Sequence, residues 1–431
     1  MGGQPTTDAL DEATHTEPHP HVLRPRPEEP TTRPTPPDDL SKPWLQWQHA
    51  TGDWGGVRPW LRERGFILDI GYLADGFTNL YGGLNTSDAC TYNGLLSFSL
   101  AIETGPLGLW KGGTFFLDFQ QIRGQDITES HVGDLQVLDN AAAPDRTQVA
   151  EYWYQQTLLD NVLRVKLGKM DANADFAWVE YGLEFINSSA GYPPNIPLPT
   201  YPDPALGVVL FIEPVDWFYV GGGVYDTDGS GDRWGFDTAM HGRDDSLAMA
   251  ELGLRPSLPL FGRKLPGTYR VGGWYHSGTW EIFSDDPGTD EEHEPRTRRG
   301  NSGLYLAFDQ ALLPDFPDSD DEEQGLGAFF QFSWAPSAWN EISHYFGGGL
   351  QYIGLIPTRN HDITGIGLFH AGISGRLRSF EDRQSETAVE FFHKFQLAPW
   401  LSIKPDMQYI VNPGGRAGGA FVVGVRTEIA F

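Results

Sequence analysis

From Trp44 onward, hydrophobic and polar positions alternate with a period of two. In the last twelve residues, AFVVGVRTEIAF, Phe421, Val423, Val425, Thr427, Ile429 and Phe431 alternate with Val422, Gly424, Arg426, Glu428 and Ala430. That period puts one set on each face of a strand, so an uncharged face backs onto a face holding both charges. Half-buried soluble sheets give such an alternation once; repetition along the chain separates the two cases.

The pattern does repeat. Tyr92, Leu96, Phe98, Leu100 and Ile102 oppose Asn93, Ser97, Ser99 and Glu103, while Leu326, Ala328, Phe330, Phe332 and Trp334 oppose Gly327, Gln331 and Ser333. Leu401, Ile403, Pro405, Met407, Tyr409 and Val411 oppose Ser402, Lys404, Asp406, Gln408 and Asn412. Strands are predicted to begin near Ile67, Tyr92, Thr114, Ala150, Leu163, Leu206, Trp217, Leu247, Thr268, Ser302, Leu326, Ser343, Ile363, Thr387, Leu401 and Ala420. An even number lets the ends of an antiparallel chain meet and leaves no unpaired edge in lipid. The fold class read from this is all-β: a single transmembrane antiparallel β-barrel of about 16 strands, with a disordered N-terminal tail.

If the last strand runs inward, Leu159 to Val162, Pro214 to Asp216 and Leu397 to Trp400 become short inner turns. Gln125 to Val149, Ala172 to Pro204, Asp226 to Asp245 and Glu281 to Gly300 become long outer loops, the asymmetry of a membrane barrel. Asp315 to Gln324 breaks that rule on the inner side.

Composition changes the picture in three places. No run of about 18 apolar residues occurs, which excludes a transmembrane helix but not membrane strands. A formal charge of −28 argues against nucleic acid as a partner. The acidic runs Asp285 to Glu294 and Asp315 to Glu323 read as solvated loops, with divalent-cation bridging to anionic lipid as the functional alternative. The single cysteine, Cys90, excludes an intrachain disulfide framework and a cysteine metal cluster.

Residues 1–43 are rich in Pro, Thr, Asp, Glu and His and poor in apolar residues, too little to offset the entropy of ordering. They read as a disordered tail, His15, His19 and His21 included. Residues 44–65 form a periplasmic lead-in with a short helix, and residues 44–431 the barrel unit. Secretory h-regions are absent from the opening residues; for an exported chain this implies a removed signal peptide or an incomplete start. Asp226, Asp228 and Asp232 sit in a glycine-rich turn without the final Glu of a calcium loop, so neither metal nor cofactor is expected.

The segment Thr51 to Gly56, TGDWGG, followed by a short amphipathic stretch to Gly65 and the first strand, resembles the opening of the OprB-like carbohydrate-selective porins. LGKMDANADFA from Leu167 to Ala177, then Phe185 to Asn187, Tyr201-Pro202, and EFFHKFQLAPWLSIKPDMQYIVNPGG from Glu390 to Gly415 follow in family order. The resemblance implies a sixteen-stranded outer-membrane barrel of a Gram-negative-type bacterium, narrowed by infolded loops, through which sugars diffuse passively. The Pro-rich tail and high acidity depart from the family pattern, and a general or cation-preferring porin is the alternative. Small neutral sugars and outer-membrane lipid are the implied partners, and a homo-oligomer is compatible with the chain.

A passive pore needs no nucleophile; it needs polar groups that replace water around the solute, and rings on which a sugar can stack. Lumen parity selects Asp118, Glu151 and Trp153, then Arg164 and Lys166, with Lys169 and Asp171 at the outer strand end. The Ala172 to Pro204 loop adds Trp178 and Asn187 and is long enough to fold into the barrel. Glu390, Lys404, Asp406, Arg426 and Glu428 form the opposite wall near the seam. For Arg164, Lys166 and Lys169 the plain alternative is pairing with wall carboxylates such as Asp118 or Glu151. A barrel enzyme is disfavoured: no serine lies in a GxSxG context, and His276, His344, His370 and His393 have no evident partners in the sequence.

Nothing in the tail can join a sheet. Deleting residues 1–43 is expected to leave the heat-modifiable folded band on a gel intact, and loss of that band would show that the tail contributes to folding.

Overall fold

The computed structural model describes residues 42–227, 245–283, 296–314, 324–381 and 383–431. The tail, the acidic runs, and most of the Asp226 to Asp232 turn lie outside the described residues.

Strands β1 (Phe66–Gly82), β2 (Cys90–Glu103), β3 (Gly113–Gly124), β4 (Arg146–Leu158), β5 (Leu163–Met170), β6 (Ala205–Val215), β7 (Phe218–Asp226) and β8 (Ser246–Leu254) make half the wall. A short strand β9 (Ser257–Leu260) precedes β10 (Arg263–Glu281), β11 (Thr297–Pro314), β12 (Gly325–Trp334), β13 (Ile342–Ile353), β14 (Ile363–Ile373), β15 (Glu386–Ala398), β16 (Leu401–Val411) and β17 (Gly419–Ala430). β9 pairs only with the opening residues of β10, whereas β8 pairs with the rest, so the two form one stave interrupted at Arg255 and Pro256. The wall therefore has sixteen staves, each beginning within a few residues of its predicted start.

Closure is made by β17 pairing antiparallel with β1, from Gly71 opposite Ala430 to Gly82 opposite Ala420. At that last pair the backbones nearly touch. Gly82 has φ +66°, and a Cβ there would lie 1.8 Å from the Gly419 carbonyl oxygen. Closure removes the free edge that water would otherwise have to satisfy.

Alternation sorts the side chains as predicted. On β16, Ser402, Lys404, Asp406 and Gln408 are buried in the interior while Pro405, Met407, Tyr409 and Val411 are exposed outside. On β17, Val422 and Arg426 are buried and Val425 is exposed. The interior is no empty tube. Two apolar clusters fill much of it, one around Phe185, Phe329, Phe369 and Phe392, the other around Phe176, Phe211, Tyr225 and Trp274.

The lead-in caps one end of the seam. Asp53 accepts the Gly55 N–H at 3.0 Å, helix α1 (Val57–Arg62) follows, and the Arg58 guanidinium donates to the terminal oxygen of Phe431 at 2.5 Å. Ala50 N–H reaches Ala430 O at 2.8 Å, and Trp44 packs on Trp400 with ring centroids 4.3 Å apart. The Thr51 to Gly56 segment thus forms a tight turn that holds the lead-in against the end of β17.

Val425 points away from the interior. Val425→Arg is expected to destabilise the barrel by ~2–4 kcal/mol if the site lies near the bilayer midplane, measured by urea unfolding in lipid vesicles. An unchanged urea midpoint would contradict its outward orientation.

Candidate functional site

The chain between β5 and β6 leaves the wall at Asp171, whose carboxylate caps a 3-10 turn (Ala172–Ala174) by accepting the Asn173 N–H at 2.8 Å. This turn folds the chain straight back over β5. It delivers Asp175 between Arg164 and Lys166, at 2.7 and 2.9 Å. For Arg164 and Lys166 the direct ion pairs are therefore made with a loop carboxylate and not with Asp118 or Glu151, although the Lys166 charge still acts on Glu151. Asp118 instead accepts from Ser97 Oγ and Gln120 Nε2, both at 2.8 Å, and Glu151 from the Asp171 N–H and Trp153 Nε1. Lys166 also lies over the Trp153 ring at 4.6 Å, and Lys169 donates to Val149 O at 3.2 Å. Burial alone would raise the Asp175 carboxyl, but Lys166 and Arg164 outweigh it and hold it below the ordinary carboxylate range.

Beyond Asp175 the loop crosses the lumen. Trp178 lies under the Arg270 guanidinium at 4.1 Å, and Arg270 pairs with Asp309 at 2.8 Å. Ala177 N–H reaches Glu251 and Tyr181 N–H reaches Asp309, each at 3.1 Å. On the far wall Glu184 bonds Lys394 at 3.0 Å and Lys404 at 2.7 Å. Both lysines also approach Glu428, at 2.8 and 3.9 Å. Ile186 and Asn187 donate their backbone N–H groups to Glu390, and the Asn187 side-chain amide donates to Gln408 at 3.1 Å. Between these polar anchors Phe185 enters an aromatic cluster, 5.0 Å from Phe392 and 5.4 Å from Phe329. Burying one such ring contributes about 1.5–3 kcal/mol.

A second loop folds inward, which the alternation did not foretell. The β3–β4 connection, expected as an outer link, sends Asp139 and Asn140 to Arg426 of the closing strand, at 3.3 and 2.8 Å. Arg426 is also bound by both carboxylate oxygens of Asp75 on β1, at 2.8 and 2.7 Å. Burial and the Asp75 carboxylate push the Asp139 carboxyl well above its ordinary range, against the opposing pull of Arg426.

The two loops and the seam leave a cavity of about 80 Å³. Asp171, Lys404, Arg426 and Glu428 line it, as do Asn140, Tyr192 and Tyr201, which the parity argument could not select because they lie on loops. Trp178, Asn187, Glu390 and Asp406 are not in its lining; the first three carry the loop contacts just described, and Asp406 accepts from Gln408 at 3.2 Å. Asp118, Glu151, Trp153, Arg164, Lys166 and Lys169 belong to the β3–β5 wall. The four histidines without evident partners in the sequence all have them: the Gly278 N–H for His276, Ser343 for His344, Thr387 for His370 and Thr364 for His393. Each links neighbouring or cross-strand residues. Among the described residues no group of three or more His, Cys, Asp or Glu is placed to hold a metal.

The model of the carbohydrate-selective porins of the OprB family matches residues 87–431. Over 427 residues the chain is 24% identical to Porin B of Pseudomonas aeruginosa, covering 88% of this chain and 90% of that one. It is 23% identical to the putative porin QuiX of Acinetobacter baylyi, covering 90% and 93% of the two chains. In three dimensions it is similar to OprB of Pseudomonas putida in a high-pH structure, with a TM-score of 0.81 at 21% identity over 90% of this chain and 99% of that one. This last likeness shows the fold. The barrel, its inward charges and the family match over most of its length converge on one assignment: the chain belongs to the OprB family of carbohydrate-selective porins.

Proposed function

We propose that the cavity between the two infolded loops is the constriction through which small neutral sugars diffuse across the outer membrane of a Gram-negative bacterium. The observation that carries this is the pairing of its cations. Arg426 is matched by Asp75, and Lys394 and Lys404 are matched by Glu184 and Glu428. No cation of this group is left over for an anionic solute: Arg426 takes Asp139 as well as Asp75, and Asp171 adds a further carboxylate to the lining. Uncharged hydroxyls can exchange hydrogen bonds with the paired groups without either partner losing its counter-charge.

Tyr192 and Tyr201 supply ring faces for the less polar side of a sugar, while Asn140, Asp171, Lys404, Arg426 and Glu428 supply donors and acceptors. Glu151, Trp153 and Lys166 on the β4–β5 wall, with Asp118, Arg164 and Lys169 beside them, extend the polar lining along the solute's path. The exposed outward side chains, such as Met407, Tyr409 and Val425, meet lipid.

Two experiments test this reading. Liposomes containing the purified protein should swell faster with mono- or disaccharides than solute size predicts; equal rates for sugars and size-matched amino acids would leave a general porin. Glu428→Gln removes one carboxylate from the set that holds Lys394 and Lys404 and should move the reversal potential in a potassium chloride gradient toward chloride. An unmoved potential would remove the cation-pairing argument.

A further inference from the structure

Three inward residues of β15 are spaced four apart, Glu386, Glu390 and Lys394, and so share one face of the strand. None of them lines the cavity. Glu386 accepts the N–H groups of Leu135 and Gln136, at 2.8 and 3.0 Å, and of Gly414 in the β16–β17 loop at 2.7 Å. Glu390 accepts those of Ile186 and Asn187, at 2.7 and 2.9 Å. Lys394 holds Glu184 with bonds of 3.0 and 3.2 Å. A single strand thus grips both infolded loops.

A carboxylate that takes two successive backbone amides, one on each oxygen, fixes position and orientation together; Glu390 does so for Ile186 and Asn187, and Glu386 for Leu135 and Gln136. Grip and passage are one residue apart. Phe185 and Ser188, which line the cavity, flank the gripped Ile186 and Asn187. The loops are also bonded to each other: Asn140 N–H to Ile186 O at 2.9 Å, Ser188 N–H to Val137 O at 3.0 Å, and the Asn140 side chain to Phe185 O at 3.2 Å. Displacing one loop therefore displaces the other.

We propose that Glu386 and Glu390 are positioning residues that set the width of the passage, holding the two loops as one plate against β15 without touching the solute. The proposal rests on the cavity being the permeation path. Glu390→Gln keeps the size of the side chain but replaces one accepting oxygen with an amide nitrogen that cannot accept from an N–H.

Single-channel current and the largest uncharged polyethylene glycol that enters the pore are measured for the full chain, for Glu390→Gln and for Glu386→Gln. Both variants should keep the heat-modifiable band while carrying larger, noisier currents and admitting a larger polymer. Glu390→Asp, which retains charge and shortens the reach, should shift the cut-off in the same direction and serves where a Gln variant does not fold. A folded variant with the current and polymer cut-off of the parent overturns the positioning role and leaves the permeation path standing. A parent protein that gives no conductance steps overturns both.

Discussion

One guanidinium sits where three constraints meet. Arg426 lies on the last strand, faces inward, and binds Asp75 on the first strand with two bonds below 3 Å. It thereby crosses the seam on which closure depends, and it also receives Asp139 and Asn140 from a loop folded into the lumen. A charge removed from water to this extent is tolerated only when its partners are fully supplied; taking away one partner of a buried pair typically costs about 3–5 kcal/mol. Closure, constriction and pore lining are consequently not separable properties of this wall.

The same economy governs the interior as a whole. Lipid outside asks only for apolar surface, so the organising interactions lie within, where charged wall residues hold loops and rings from those loops fill the space. Phe185 makes this concrete: its ring is buried among Phe329, Phe369 and Phe392 while the next two backbone amides are taken by Glu390. Apolar packing brings the loop to the wall, and the carboxylate selects one placement of it.

How much of this was legible in the chain follows from which parts are periodic. Strand alternation is a local constraint, so the sixteen staves and the inward set of Lys404, Asp406, Arg426 and Glu428 could be read directly, while only its length without a strand pointed to infolding of the loop after β5. Contacts between loops have no period. The infolding of the β3–β4 connection was not foreseen, because Asp139 and Asn140 look like any polar loop residues until Arg426 is placed opposite them. Asp175 was passed over for a related reason: wall carboxylates were the available partners for Arg164 and Lys166 until the turn at Asp171 brought the loop back. For Glu390, parity gave the correct face but not the depth, since only the structure places a loop backbone between it and the cavity.

The acidity of the chain bears on selectivity less than its size suggests. At physiological ionic strength fields between exposed charges fade over roughly 8 Å, so carboxylates on loops act on a solute only when they stand close to its path. In the passage, partners lie within 2.7 to 3.3 Å of Arg426 and within 2.7 to 3.9 Å of Lys404. Each is buried and screened little by salt. Local matching, rather than the total of −28, is what a solute in the constriction meets. A strongly acidic protein can therefore leave no free cation at its gate, because each inward cation there is held by an inward carboxylate.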